Sequence, residues 1–375
     1  MGQARTGPQG LARGTQRLGS GPFRLPGGRN GDDLLRLPEG GSAARAEELR
    51  GQGEVLGVRA HLRRAEGRVL SERSPAGGAV RVQCPAKVNL FLEVTGKRKN
   101  GYHTLSTLFA KINIYDVLDF KFANGGKPIL EIVDEFHACR LSAGPDNLVM
   151  RAAKAFYRSF RIGVGVHITL TKRIPMGAGL GGGSSDAAGT LLGLAQFFQI
   201  KLTAARKKKL HDLGVELGAD VAFFLKDSPF CLATGIGDRL RPMKIPRSLP
   251  YMVLAWPGFP SPTGPVYKAL AARRRPDILT RLSQLDKLVR RLKRGRPVDE
   301  WGGLLFNRLE QAELPVLADV AQARRIMEAA GVEGVRMSGS GSSVFGFVSS
   351  HAEGERIVRR LRVYPWKVFL TSCLG

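Results

Sequence analysis

The stretch Pro175-Met176-Gly177-Ala178-Gly179-Leu180-Gly181-Gly182-Gly183-Ser184-Ser185-Asp186-Ala187-Ala188-Gly189 decides the fold. It sets six glycines in thirteen positions, 177–189, at the head of an alanine- and leucine-rich segment. A P-loop needs G-x-x-x-x-G-K-[ST], whose lysine reaches the outer phosphates of a nucleotide. Gly177 and Gly182 have that spacing, but Gly183 stands where the lysine belongs, with Ser184 next to it. A dinucleotide G-x-G-x-x-G is matched by Gly177, Gly179 and Gly182, yet the acidic residue expected about 20 positions on is replaced by the run 196–203. What survives is the physics both motifs share. Backbone N–H groups freed by glycine at a helix N-terminus bind an anion without any side-chain charge. The hydroxyls of Ser184 and Ser185 can bond phosphate oxygens or ligate magnesium, and Asp186 reads as a capping acid in the first helical turn.

Outward from the loop, the chain alternates strand and helix signals. Residues 88–94, 105–112, 117–122, 129–133 and 164–170 are apolar, β-branched and bounded by Gly, Asn, Asp or Pro, as strands are. Residues 147–160 read as a helix with Asp146 placed to cap it, and 185–198 and 203–217 as two more. A strand, a glycine loop and then a helix is the order that a phosphate cradle requires. After strands at 230–234 and 252–255, Pro246, Pro250, Pro257, Pro260, Pro262 and Pro265 punctuate a region that reads as a domain junction. Beyond it come helices at 278–293, 304–311, 316–330 and 352–361, with strands at 335–337, 344–348 and 367–370. Strands of that arrangement suit an antiparallel sheet in a smaller α+β domain. The expected organisation is an extension at 1–78, a domain at 79–245 and a second at 246–375.

The 375 residues suffice for two domains, and 43% hydrophobic with 24% charged residues is a globular composition. No window approaches the roughly 18 consecutive apolar residues that span a bilayer. Cys84, Cys139, Cys231 and Cys373 lie far apart with no C-x-x-C pair, so neither a zinc site nor a disulfide framework is expected. The formal charge of +26 points to nucleic acid or a polyanionic small molecule. Its local runs at 206–209, 273–275 and 290–296 read as solvated faces and a loop. Residues 1–78 contain 17 Gly, 13 Arg and no Lys, a composition expected to be disordered. Five Arg and no acid in the first 31 residues suit an organelle-targeting peptide, although serine is scarce and Asp32, Asp33, Glu39, Glu47 and Glu48 come soon after.

The P-x-x-x-G-L-G-G-G-S-S-[ND]-A-A pattern of the loop resembles the ATP loop of the GHMP kinases. Five further segments resemble that family in the same order: Pro85-Ala86-Lys87-Val88-Asn89-Leu90, Gly101-Tyr102-His103-Thr104-Leu105, Asp146-Asn147-Leu148, Gly218-Ala219-Asp220-Val221-Ala222-Phe223-Phe224 and Ser338-Gly339-Ser340-Gly341. Together they cover residues 81–370. The resemblance implies an α+β, two-domain fold, with an N-terminal ATP-binding α/β domain of ribosomal-protein-like type and a C-terminal ferredoxin-like α+β domain. The triple glycine with double serine is similar to the branch that phosphorylates the 2-hydroxyl of a cytidine-diphosphate-linked methylerythritol, using ATP and Mg2+, in non-mevalonate isoprenoid synthesis.

Carried onto this sequence, the resemblance makes Asp220 the base and Lys87 its cationic partner, with residues 175–185 holding ATP. Read alone, Asp220 is an acid entering an apolar segment, where a partner is expected. Tyr102 and His103 become cytosine contacts, Tyr267 a second aromatic on the same base, and Asn89 a contact for the sugar-like end. Trp256 and Gly264-Pro265 depart from the pattern around Tyr267. Metal ligands stay unassigned. Small-molecule partners, no nucleic acid or membrane, a monomer or homodimer, and a plastid location in a eukaryote or a cytoplasmic one in a bacterium complete the expectation. Two alternatives stand beside it: a GHMP kinase for homoserine or mevalonate, and a basic nucleic-acid-binding protein.

Overall fold

Two long strands carry the first sheet, β2 (Val80–Lys97) after a short β1 (Ser71–Arg73), and β3 (His103–Ala123). The computed structural model describes residues 71–73, 79–99, 101–135, 141–271 and 277–375, so the expected extension lies almost wholly outside the described residues. β2 and β3 pair antiparallel along their length, with the register shifting between Pro85 and Ala86, Asn89 and Phe91, and Val94 and Gly96. Such bulges bend and twist a ladder too long to stay flat. The bend lets β3 serve two neighbours: residues 117–123 pair with β5 (Gly165–Lys172), and residues 107–110 with β6 (Phe230–Thr234). β4 (Pro128–Asp134) lies parallel to β5, and α1 (Leu148–Phe160) makes the crossover between them. β7 (Arg239–Met243) closes the edge beyond β6. α1, α2 (Gly182–Phe197) and α3 (Ala204–Leu217) contribute Phe156, Leu191, Leu194 and Leu213 to a core that includes Phe120 and Ile168 of the sheet. A six-residue helix, α4 (Ala219–Phe224), comes directly after α3.

The second sheet is the four-stranded, antiparallel order β10-β11-β8-β12 expected of a ferredoxin-like unit. Its elements are β8 (Tyr251–Trp256), α5 (Thr263–Ala271), α6 (Ile278–Lys293), α7 (Val298–Trp301), β9 (Phe306–Asn307), α8 (Pro315–Ala329), β10 (Glu333–Met337), β11 (Val344–Val348), α9 (His351–Leu361) and β12 (Lys367–Thr371). α8 and α9 supply Met327 and Ile357 to one core, with Val253 and Val344. A further core joins the two sheets, combining Val88, Leu90 and Ile112 with Leu254, Phe345 and Trp301. β9 leaves the second sheet altogether and pairs parallel with β2. Its neighbour Arg308 grips the buried Glu93 of β2 with both carboxylate oxygens engaged, at 2.6 to 3.1 Å.

The structure corrects several local expectations. Residues 105–112 and 117–122 are one strand rather than two, because polar Asn113 and Asp116 sit at positions where β3 still continues. The cap of α1 is Asn147, not Asp146: its Oδ1 accepts from the Val149 N–H at 2.9 Å. Residues 304–311 form two 3-10 turns around β9 instead of a helix. Asn307 is the cause. Its amide donates to the Met337 and Gly339 carbonyls while its Oδ1 accepts from Leu309 N–H, which fixes an extended backbone there. The proline-rich junction holds α5, and α4, α7 and β7 are elements beyond those the sequence signals. Lys207, Lys208 and the 290–296 arginines face solvent as read from the sequence, while residues 273–275 lie outside the described residues. Cys84, Cys231 and Cys373 are free and buried, and Cys139 lies outside the described residues. Among the described residues no helix is long and apolar enough to cross a membrane.

Candidate active site

The glycine loop leaves the end of β5 and reaches the start of α2 with its carbonyls turned into protein. Gly177 O accepts from Ser261 N–H at 2.8 Å, Ala178 O from Ser343 N–H at 3.2 Å, and Leu180 O from Lys87 N–H at 2.9 Å. Gly179 O accepts from the Ser338 hydroxyl at 2.9 Å. Gly177, Gly179 and Gly181 each have positive φ, at 61°, 74° and 70°. At Gly179 a Cβ would stand 1.9 Å from Ser338 O, so glycine is required there by space as well as by conformation. The Ser338 turn thus packs on the loop. With the carbonyls engaged, the N–H groups of Gly182, Gly183 and Ser184 are first-turn donors with no acceptor inside the helix. Residues 175–184 all line one cavity of about 1120 Å3.

Lys87 enters the same cavity from β2, 4% exposed, opposite Asp220 in the first turn of α4. Lys87 Nζ stands 3.7 Å from Asp220 Oδ2 and donates to Asn89 Oδ1 at 2.7 Å. Asn89 donates in turn to the Thr107 hydroxyl, and Thr107 to Phe91 O, at 2.8 and 2.6 Å. This relay fixes the Asn89 amide with its oxygen towards the lysine, so Asn89 holds Lys87 in place while lining the cavity. Burial pushes the Lys87 amine below the usual lysine range, and the Asp220 carboxylate opposes that shift. The gap between Nζ and Oδ2 exceeds a strong direct hydrogen bond. A hydroxyl oxygen beside the pair can lie within hydrogen-bond reach of both groups.

In the same cavity the ring of Tyr267 on α5 lies against His103, with centroids 5.2 Å apart and planes 30° inclined. That spacing leaves no room for a base between those two rings. Tyr102 stands at the rim, 62% exposed, and offers a second aromatic face to the same space. Burial, with the Asp220 charge adding, raises the Tyr267 phenol above its usual value and keeps it a donor.

Ser185 and Asp186 depart from their expected places. Ser185 is buried beneath the loop rather than on the cavity wall, and its hydroxyl has no partner. Asp186 does not cap α2, which begins four residues earlier at Gly182 with Gly181 as its cap. Instead it accepts from Lys172 Nζ at 2.8 Å, and Lys172 also pairs with Asp116. Asp116 Oδ1 accepts from the N–H groups of Arg173 and Ile174 at 2.5 and 2.8 Å, anchoring the entry to the glycine loop. Burial pushes the Asp186 carboxyl well above the usual range; Lys172 opposes this and Asp116 adds to it. Sequence reasoning misses this trio because no fixed spacing links positions 116, 172 and 186. It also misses Lys97, Asn147 and Lys268, which line the cavity; the Asp146-Asn147-Leu148 motif holds the signal for Asn147.

The family described as GHMP kinases N terminal domain matches residues 147–228, and that described as GHMP kinases C terminal matches residues 287–365. A 4-diphosphocytidyl-2-C-methyl-D-erythritol kinase of Shouchella clausii (strain KSM-K16) is 33% identical over 296 residues, covering 78% of this chain and 95% of that protein. The chain belongs to the GHMP kinases, in the 4-diphosphocytidyl-2-C-methyl-D-erythritol kinase branch. A crystal structure of 4-(cytidine 5'-diphospho)-2C-methyl-D-erythritol kinase superposes on this GHMP kinase with a TM-score of 0.62 and 33% identity, over 79% of this chain and 99% of the other. Homoserine kinase from Cytophaga hutchinsonii ATCC 33406 gives a TM-score of 0.63 at 19% identity, over 81% and 98% of the two chains. The latter shows a shared fold alone. The two-domain α+β architecture expected of a GHMP kinase is the one this chain has.

Proposed function

We propose that this kinase transfers the γ-phosphoryl group of ATP to the 2-hydroxyl of 4-diphosphocytidyl-2-C-methyl-D-erythritol, giving the 2-phosphate and ADP. The observation that carries the reading is the Lys87–Asp220 pair, 3.7 Å apart in one cavity with the glycine loop and with Tyr102, His103 and Tyr267. Phosphoryl transfer is mostly positioning and charge balance. The glycine-loop N–H groups hold the outer phosphates at the start of α2. The acceptor hydroxyl sits beside Lys87 and Asp220, where the ammonium polarises it and the carboxylate takes its proton. The acceptor oxygen forms its bond to phosphorus as the bridging oxygen leaves with ADP. Tyr102 and Tyr267 stack on the cytosine, and His103 offers hydrogen-bonding capacity to the base edge.

Among the described residues no group of three or more His, Cys, Asp or Glu could hold a metal ion. A magnesium ion would come with the nucleotide's own phosphates, with the Ser184 hydroxyl on the cavity wall as the nearby oxygen donor. Bound there, Mg2+ neutralises phosphate charge. ADP release from the full chain, with ATP, Mg2+ and each of three alcohols, tests the reading. Turnover is expected with the cytidine-linked alcohol and none with homoserine or mevalonate; turnover of homoserine alone would replace the acceptor assignment.

A further inference from the structure

Lys111 is 1% exposed, on the strand next to Lys87 and directly opposite it in the β2–β3 ladder. Like charges facing each other across a sheet destabilise it, and a buried amine needs acceptors. A core position like this one is ordinarily apolar. Lys111 Nζ donates to Lys226 O at 2.6 Å, two residues beyond the end of α4, and reaches Phe224 O, the last residue of that helix, at 3.4 Å. Lys87 meets Asp220 at the other end of the same helix.

Between the two amines lie stacked rings. Phe109 of β3 and Phe223 of α4 have centroids 4.8 Å apart, with Lys87 over Phe109 at 5.5 Å and Lys111 over Phe223 at 5.3 Å. A helix of six residues spans about 9 Å and is far too short to hold its own shape or place. Its position comes from the burial of Val221, Phe223 and Phe224 in the core together with these anchors. The two lysines therefore grip α4 at both ends from neighbouring strands.

Resting on the assignment of Asp220 as the base, we propose that Lys111 is a positioning residue for the reaction: its ammonium clamps the Phe224 and Lys226 carbonyls, at and just beyond the C-terminal end of α4, helping to fix the helix and hence the Asp220 carboxylate at its distance from Lys87. The lysine never touches substrate and acts only through the helix. Lys111→Met removes the donors while keeping length and apolar bulk, and Lys111→Gln keeps an N–H donor without charge.

Steady-state kinetics on the full chain, with thermal melting as a check of folding, decide the matter. The expected result is a kcat about tenfold or more lower in Lys111→Met, KM for both substrates within about twofold, and an intermediate kcat in Lys111→Gln. If Lys111→Met does not melt cooperatively, Lys111→Gln alone carries the comparison. Wild-type kcat in the folded variants, or a loss confined to KM, would overturn the proposal. Asp220→Asn run alongside separates the two layers. An active Asp220→Asn removes the underlying site assignment, whereas an inactive one beside a fully active Lys111→Met removes only the role given to Lys111.

Discussion

Two buried lysines meet aspartates beside the phosphate-binding loop, and they are built differently. Lys172 is enclosed by Asp116 and Asp186, with all three side chains 4% exposed or less and the contacts short. Lys87 meets a single carboxylate at 3.7 Å, and that carboxylate is 32% exposed to the cavity. The first arrangement is closed and anchors the loop through the Arg173 and Ile174 amides. The second is open to the cavity, from which a hydroxyl can reach both groups. The closed cluster surrounds its cation with two carboxylates, although Asp186 Oδ1 has no partner; the open pair sets one carboxylate against its cation and faces that carboxylate to the cavity.

The largest effect on stability is expected at the closed cluster. Lys172→Met leaves two carboxylates buried without their cation, which costs about 3–5 kcal/mol in comparable cases. Urea unfolding at neutral pH checks this, and the deficit shrinks at lower pH as the stranded carboxyls take up protons. A smaller effect belongs to the open end. Tyr267→Ala removes one stacking face, worth about 1–3 kcal/mol per base, so KM for the cytidine-linked alcohol rises roughly tenfold or more while kcat changes little. A KM unchanged by the substitution would move the base away from α5.

The smallest effect is a slope. Burial pushes the Lys111 amine down to about 8, with Cys231 and Asp227 opposing, against 10.5 for an ordinary lysine. Between those pH values the unfolded chain binds more protons than the folded one, so stability contributed by this group rises with pH. Wild type should therefore gain on Lys111→Met as urea melts are repeated from pH 8 to pH 10. A constant difference would mean that the amine is not perturbed.

The sequence disclosed the open pair more readily than the closed cluster, for a physical reason. The loop's glycines are demanded by positive φ and by Ser338 O, so they stand as a dense local pattern. Lys87 and Asp220 lie in short segments whose neighbours resemble a family, although neither residue signals a role alone. Asp116, Lys172 and Asp186 come from two strands and a helix, and only the sheet register and the start of α2 bring them together. Asp186 reads as a cap in the sequence because an acid near a helix start suits the dipole equally well. Residues 304–311 read as a helix because apolar spacing carries no sign of the carbonyls that Asn307 must reach. α4 escapes notice because six residues are too few to show a period.

The open pair is tested most directly by Asp220→Asn, with ADP release and urea unfolding measured on the same full-length preparation. The carboxamide keeps the shape and loses the proton acceptor. Turnover of the cytidine-linked alcohol should fall by about 10²–10⁴-fold, with a cooperative urea transition retained, since Asn89 still accepts from the Lys87 amine. An Asp220→Asn protein that turns over at the wild-type rate would contradict the account.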